Sequence, residues 1–234
     1  MFLSMRYITI LLPAIILALY AQAKVNSTFQ KYARVRNMRG YTGADVAREL
    51  LKLSGIYDVR VEQVAGNLTD HYDPRSKVLR LSESVYNSNS ISAVGVAAHE
   101  TGHAIQDATG YAFLRLRSAM VPVTQIGSNL AMPMIFIGVL LGGFTQYSFG
   151  YTLVQIGIVF FAIAVLFSLV TLPVEFNASN RAIAMLESNG FLESQEVGSA
   201  RKVLNAAALT YVAAAAVAIA NLLRLLAIFG RRND

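Results

Sequence analysis

The sequence predicts a mainly α-helical membrane protein, with about four transmembrane helices carrying a small α+β domain. Two observations predict it. Four apolar stretches are each long enough, at about 17–25 residues, to cross the hydrocarbon core of a bilayer. They lie in a chain of 234 residues that is 55% hydrophobic with a mean hydropathy of +0.47. Between the first and second stretches, residues 24–118 are polar and read as short helices and strands.

The first stretch, 2–23, holds Arg6 as its only charge. Its positive start, apolar middle and Ala21-Gln22-Ala23 ending match a cleavable signal peptide. Lys24, Lys31, Arg34, Arg36 and Arg39 follow it, however, and positive charge marks the cytoplasmic side. The stretch is therefore expected to stay as an anchor with its N-terminus outside. Residues 42–55 predict a helix: Thr42 can cap it, Ala47, Leu50, Leu51 and Leu53 make an apolar face, and Gly55 closes it. Val59, Val61 and Val64 around Arg60 and Glu62 predict a short strand. Asp73-Pro74-Arg75-Ser76 predicts a turn, and residues 77–81 a second short strand. A free edge on that second strand would let an extended peptide pair with it.

Ser90 or Ser92 can cap the next helix, which is expected to run to about Thr109, before Gly110. Gly95 and Gly102 inside it each lower helix propensity by about 1 kcal/mol relative to alanine. Close approach to a neighbouring element would offset that cost. The second apolar stretch, 119–144, carries Pro122 and Pro133, and the third spans 151–173. A separate helix is expected from Val174 to about Leu186. The fourth stretch, 206–229, contains Asn221 and Arg224. With residues 24–118 cytoplasmic, the loop 142–150 falls outside. Arg115, Arg117, Arg181, Arg201 and Lys202 fall inside, as the charge rule asks. Arg231 and Arg232 would be outside, against the rule.

Composition excludes several classes. The absence of cysteine removes a disulfide framework and any thiolate zinc site. The net charge of +6 comes without a basic stripe or a reading element for nucleic acid. No nucleic-acid partner is expected, and the lipid bilayer accounts for the basic residues beside the spans.

The chemistry is concentrated in His99-Glu100-Thr101-Gly102-His103, which holds two of the three histidines. Residues i and i+4 share a helix face, so both imidazoles can reach one Zn²⁺ ion in a tetrahedral shell. Glu100 projects beside them, where it can take a proton from a metal-activated water. A pair of helix-surface histidines that happen to flank a glutamate is the plain alternative. A catalytic zinc site also needs a third protein ligand and an open position. After Asp107 the acidic residues are Glu175, Glu187, Glu193, Glu196 and Asp234. Glu175, just past Pro173, is the candidate; its alternative is a carboxylate favoured by a helix N-terminus. Glu187, Glu193 and Glu196 lie among Ser, Asn and Gly and are expected at the surface. His71, in Asp70-His71-Tyr72-Asp73-Pro74, is the histidine outside the motif. It could donate to an oxyanion or a substrate backbone, or simply fix the turn before Pro74.

Three stretches resemble one family. Ala97-Ala98-His99-Glu100-Thr101-Gly102-His103-Ala104-Ile105-Gln106, Leu68-Thr69-Asp70-His71-Tyr72-Asp73-Pro74 and Leu172-Pro173-Val174-Glu175-Phe176-Asn177-Ala178-Ser179 look like the YugP-type membrane zinc metallopeptidases. The resemblance covers nearly the whole chain. The first and third stretches also resemble the wider group of HtpX-type membrane zinc peptidases. That group implies one zinc per chain bound by His99, His103 and Glu175, with Glu100 as base, in a zincin-like (gluzincin) domain. Its members commonly carry an aspartate four residues after the glutamate ligand. Ser179 stands there, so that carboxylate is not carried over.

The organisation expected is an anchor at 1–23, a catalytic domain at 24–118 and a transmembrane hairpin at 119–173. The third-ligand helix and its connection occupy 174–205, and a C-terminal transmembrane helix with its tail 206–234. The function expected is a membrane-embedded zinc endopeptidase acting on polypeptide, in the bacterial cell membrane with its catalytic domain cytoplasmic. Two other classes are a site-2-type intramembrane protease and a non-catalytic scaffold that keeps a metal site. The former uses an aspartate from a later span, and none stands between Asp107 and Asp234.

Overall fold

The computed structural model describes residues 5–146 and 148–230. The expectations for Arg231 and Arg232 lie outside the described residues. The chain is mainly helical, in the order α1 (Met5–Ala33), α2 (Gly43–Leu53), β1 (Arg60–Val64), β2 (His71–Asp73), β3 (Val78–Ser82), α3 (Glu83–Tyr86), α4 (Ile91–Ala108), α5 (Ala112–Leu140), α6 (Phe149–Ser188) and α7 (Ser194–Phe229). It divides into two compact units. One comprises Met1–Tyr20, Leu116–Leu172 and Tyr211–Asp234; the other comprises Ala21–Arg115 and Pro173–Thr210.

The first unit is built from helices long and apolar enough to cross a membrane, which α1, α5, α6 and α7 all are. Its packed centre is Ile135, Val154, Ile158, Leu225 and Phe229. Two helices run on where the sequence predicts a break. Pro173 lies inside α6, a single 40-residue helix, although proline removes a donor and usually ends a helix. Packing holds the continuation: Val174, Ala178, Ala182 and Leu186, beyond the proline, are all buried. Next to the proline, the Thr171 hydroxyl donates to the Phe167 carbonyl at 2.9 Å. The last helix likewise begins at Ser194, well before the apolar stretch.

The second unit has α4 at its centre. One side of α4 packs Val94 and Ala98 against Val46, Leu50, Ala182, Leu186 and Val203. The other packs Ala93 and Ala97 against Ala47, Leu51, Leu79, Leu81 and Val85. Thr42 caps α2 in a reciprocal box. Its hydroxyl accepts from the Asp45 amide at 3.2 Å, while the Asp45 carboxylate accepts from the Thr42 amide at 3.0 Å. Ser90 caps α4, accepting from the Ala93 amide at 3.2 Å.

The sheet corrects one expectation. Its order is β1-β3-β2, with β3 parallel to β1 and antiparallel to β2. The strand expected to offer a free edge is therefore the central one, and both of its sides are paired. Val78, Leu79 and Leu81 are buried, a near-continuous apolar run suited to burial on both faces. The outer strands are β1 and β2, the latter only three residues long and read as a loop from the sequence.

The two glycines of α4 differ. A Cβ on Gly102 would sit 2.7 Å from the Ala178 carbonyl oxygen of α6, so here the absent side chain permits close helix contact. A Cβ on Gly95 would meet nothing nearer than the Ala200 Cβ at 3.8 Å, an ordinary contact. Close approach accounts for Gly102 and not for Gly95.

Candidate metal centre

His99 and His103 stand one turn apart on α4, and the contact at Gly102 brings Glu175 of α6 against them. Both Nε2 atoms point at one oxygen, Glu175 Oε2, at 3.3 Å from His99 and 3.5 Å from His103. All three side chains are largely or wholly buried, and their potential ligand atoms lie within 4.8 Å of one another. A tetrahedral zinc with arms of about 2.0–2.1 Å has ligand–ligand edges of about 3.3–3.4 Å. The two measured separations match that edge, so the donor set fits the ion in chemistry and in spacing.

Each histidine is oriented by a neutral partner on its other nitrogen. His99 Nδ1 lies 3.1 Å from Ser179 Oγ, one turn after Glu175 on the same face of α6. His103 Nδ1 faces Gln106 Oε1 at 3.0 Å. The Gln106 amide in turn donates to the Val174 carbonyl at 2.8 Å and to Asn177 Oδ1 at 3.0 Å. Asn177 Oδ1 accepts a further bond from Arg181 Nε at 2.8 Å. Gln106 is fully buried with its amide engaged on both ends. Accepting at Oε1 fixes the hydrogen of His103 on Nδ1 and frees Nε2 for a cation, the arrangement that orients metal-binding histidines. Electrostatics point the same way. Burial works to lower the His103 pKa, but the carboxylates of Glu175 and Glu100 outweigh it and raise it. The same negative charge favours a bound cation.

Glu100 is buried beside these three side chains. Its Oε2 accepts from the Tyr72 backbone amide of β2 at 3.1 Å. Tyr72 is pinned in turn, its hydroxyl donating to Asp107 Oδ2 at 2.8 Å, where Lys77 Nζ also donates at 2.7 Å. Asp70 is close enough to feel the charge of Glu100. Burial pushes its carboxyl above the usual range, the Ser82 amide and hydroxyl oppose that, and Glu100 adds to the rise.

His71 is not brought into this group. Its ring is exposed, with Nδ1 2.8 Å from the Thr69 carbonyl and Nε2 3.4 Å from Arg80 Nη1. A carbonyl can only accept, so Nδ1 carries the hydrogen and Nε2 receives from Arg80. Glu187 is exposed, as expected, and Glu193 is half-buried, paired with Arg39 at 2.9 Å. Glu196 is buried instead, accepting from the Met38 amide at 2.9 Å. Sequence reading assigned no role to Gln106 or to the Tyr72 amide. Gln106 follows His103 by three residues, a spacing that shares a helix face. The Tyr72 contact depends on strand pairing and leaves no such trace.

Comparison with known proteins gives one family and one curated relative. A family model described as "Putative neutral zinc metallopeptidase" matches residues 7–230. The chain is 48% identical over 230 residues to the "Putative membrane protease YugP" of Bacillus subtilis (strain 168), covering 98% of this chain and 99% of the relative. No solved structure matches.

Proposed function

The chain belongs to this neutral zinc metallopeptidase family, and from that premise we propose that it is a membrane-embedded, zinc-dependent endopeptidase. Its catalytic unit is read as zincin-like, of the gluzincin kind, formed by residues 24–118 together with the third-ligand helix in 174–205. The observation that carries the reading is the placement of Glu175 Oε2 3.3 and 3.5 Å from the Nε2 atoms of His99 and His103, close to the edge length of a zinc tetrahedron.

His99, His103 and Glu175 would hold one zinc per chain. Bound there, zinc supplies Lewis acidity toward a scissile carbonyl and toward the attacking water. Glu100 is the general base: it takes a proton from that water and returns it to the leaving amine. The Tyr72 amide holds the Glu100 carboxylate in place through Oε2. Ser179 and Gln106 keep the two imidazoles turned with Nε2 inward. β2 pairs with β3 on one side only, and Tyr72 directs its amide off that ladder. An extended polypeptide would therefore pair along the outer side of β2 through the Tyr72 carbonyl, beside Glu100, the Tyr72 amide being engaged by that carboxylate. His71, tied to Thr69 and Arg80, holds the start of this strand in the reading adopted.

The catalytic unit is assigned to the cytoplasmic side of a bacterial cell membrane. Lys24, Lys31, Arg34, Arg36, Arg39, Arg115, Arg181, Arg201 and Lys202 all belong to it, and positive charge is retained on that side. The test is zinc content, by elemental analysis, in Glu175→Ala and Glu187→Ala, together with cleavage of an unfolded protein. Glu175→Ala loses zinc and turnover, while Glu187→Ala keeps both. A full complement of zinc in Glu175→Ala would remove the third ligand and the proposal with it.

A further inference from the structure

We propose that α5 carries a dimerisation seam, and that a second copy of this chain packs on it within the membrane. The inference rests on the membrane residence of α5 and not on the peptidase reading.

The membrane-crossing part of α5 has one buried side and two exposed ones. Gly127, Ala131, Ile135 and Gly138 face inward. Val123, Ile126, Leu130 and Ile137 are exposed by 53, 59, 44 and 48% and form a wholly apolar surface suited to lipid. On the adjoining face Ser118, Gln125, Ser128, Asn129 and Met132 are exposed too, followed by Phe136, and they recur at the three- and four-residue spacing of one helix stripe.

The depth of the two amides makes this face unlike the lipid surface. From Ala119, where the apolar stretch begins, Gln125 and Asn129 lie about 9 and 15 Å along the helix at 1.5 Å per residue. Both are well inside a hydrocarbon core of about 30 Å, Asn129 at its middle. Short amide side chains cannot reach the headgroups from there, as lysine or arginine can. Other amides of the spans are engaged: Gln155 donates to the Phe229 carbonyl at 3.2 Å and Asn221 to the Val217 carbonyl at 3.0 Å. Among the described residues, Gln125 and Asn129 make no side-chain hydrogen bond.

Complementarity selects the occupant. A carboxamide carries two donors and an acceptor, so it pairs with another carboxamide. Two copies of the stripe related by a twofold axis would meet amide to amide, with Ser118 and Ser128 letting the backbones approach. A helix without polar groups would leave both amides unpaired, as lipid does.

The chain has no cysteine, so single cysteines report proximity cleanly in the full-length protein in native membranes. Ser118→Cys, Ser128→Cys and Met132→Cys leave both amides in place. Under mild oxidation these three give a disulfide-linked dimer, whereas Val123→Cys, Ile126→Cys, Leu130→Cys and Ile137→Cys stay monomeric. Combining Gln125→Leu and Asn129→Leu with Ser128→Cys lowers the cross-linked fraction about tenfold, with zinc content unchanged as the check on folding. Cross-linking of equal extent on both faces, no dimer from any position, or capture of a different protein at Ser128→Cys would each overturn the proposal.

Discussion

Gly102→Ala isolates the contact that assembles the site. The added Cβ would lie 2.7 Å from the Ala178 carbonyl oxygen and 3.2 Å from its carbonyl carbon and Cα, all of them backbone atoms that cannot rotate away. Relaxed carbon–oxygen contacts begin near 3.3 Å, so α4 and α6 must part by about 0.6 Å. Overpacking of this kind costs about 1–3 kcal/mol. Alanine returns up to about 1 kcal/mol in helix propensity, leaving a net loss of about 0–2 kcal/mol. Gly95→Ala receives the same propensity gain with its nearest contact at 3.8 Å, so it should be neutral or stabilising. Thermal unfolding of the zinc-free proteins therefore separates the pair by about 2–12 °C, at about 2–4 °C per kcal/mol for a chain of this size. The separation also reaches the metal. Glu175 and Ser179 flank Ala178 on α6, so its retreat draws both from the histidines, and zinc affinity should fall by about tenfold or more. Equal melting temperatures and equal zinc affinities in Gly95→Ala and Gly102→Ala would refute the reasoning.

Two further substitutions probe the surroundings of the ligands. Ser179→Asp puts a carboxylate where Ser179 Oγ now lies 3.1 Å from His99 Nδ1; it should tighten zinc by about 10-fold or more, because a charged acceptor makes the imidazole more basic, and weaker binding would contradict that orientation. His71→Ala should keep the turnover of the zinc-loaded protein while lowering its melting temperature by a few degrees, roughly the loss of one or two exposed hydrogen bonds; lost turnover with an unshifted melting temperature would instead make His71 a group that meets substrate.

Much of this molecule can be read from its residues, and the limits have physical causes. The pairing of His99 with His103, the cap at Thr42, and the four helices long and apolar enough to cross a membrane follow from local sequence pattern. Gly102 was legible as a close approach because a glycine in mid-helix has to be offset by something. Gly95 looks the same in sequence and differs only in what lies opposite it. The continuity of α6 through Pro173 was not legible, since the helix-breaking tendency of proline is local while the burial of Val174, Ala178, Ala182 and Leu186 that holds the helix beyond it is tertiary. The centrality of β3 was hidden because β2, its hairpin partner, is only three residues long and β1 pairs with it in parallel from eighteen residues away. The adjacent burial of Val78 and Leu79 was the one sign that the strand lay between others. Glu175 was named from its place after Pro173 among few acidic residues and Ser179 from the resemblance, yet the contact of Ser179 with His99 and the hold of Val174 and Asn177 on Gln106 emerged only when α4 and α6 were brought together.

The central claim is that Glu100 moves the proton at a centre that His99, His103 and Glu175 hold without it. Glu100→Gln keeps the side-chain shape and removes the basic oxygen. Zinc stoichiometry and hydrolysis of an unfolded protein, measured on the same preparation beside wild type, test this most directly. The account predicts one zinc per chain in both proteins, with turnover in Glu100→Gln lowered by about 10²–10⁴-fold. Undiminished turnover in the zinc-loaded variant, or a wild-type protein that binds no zinc, would contradict it.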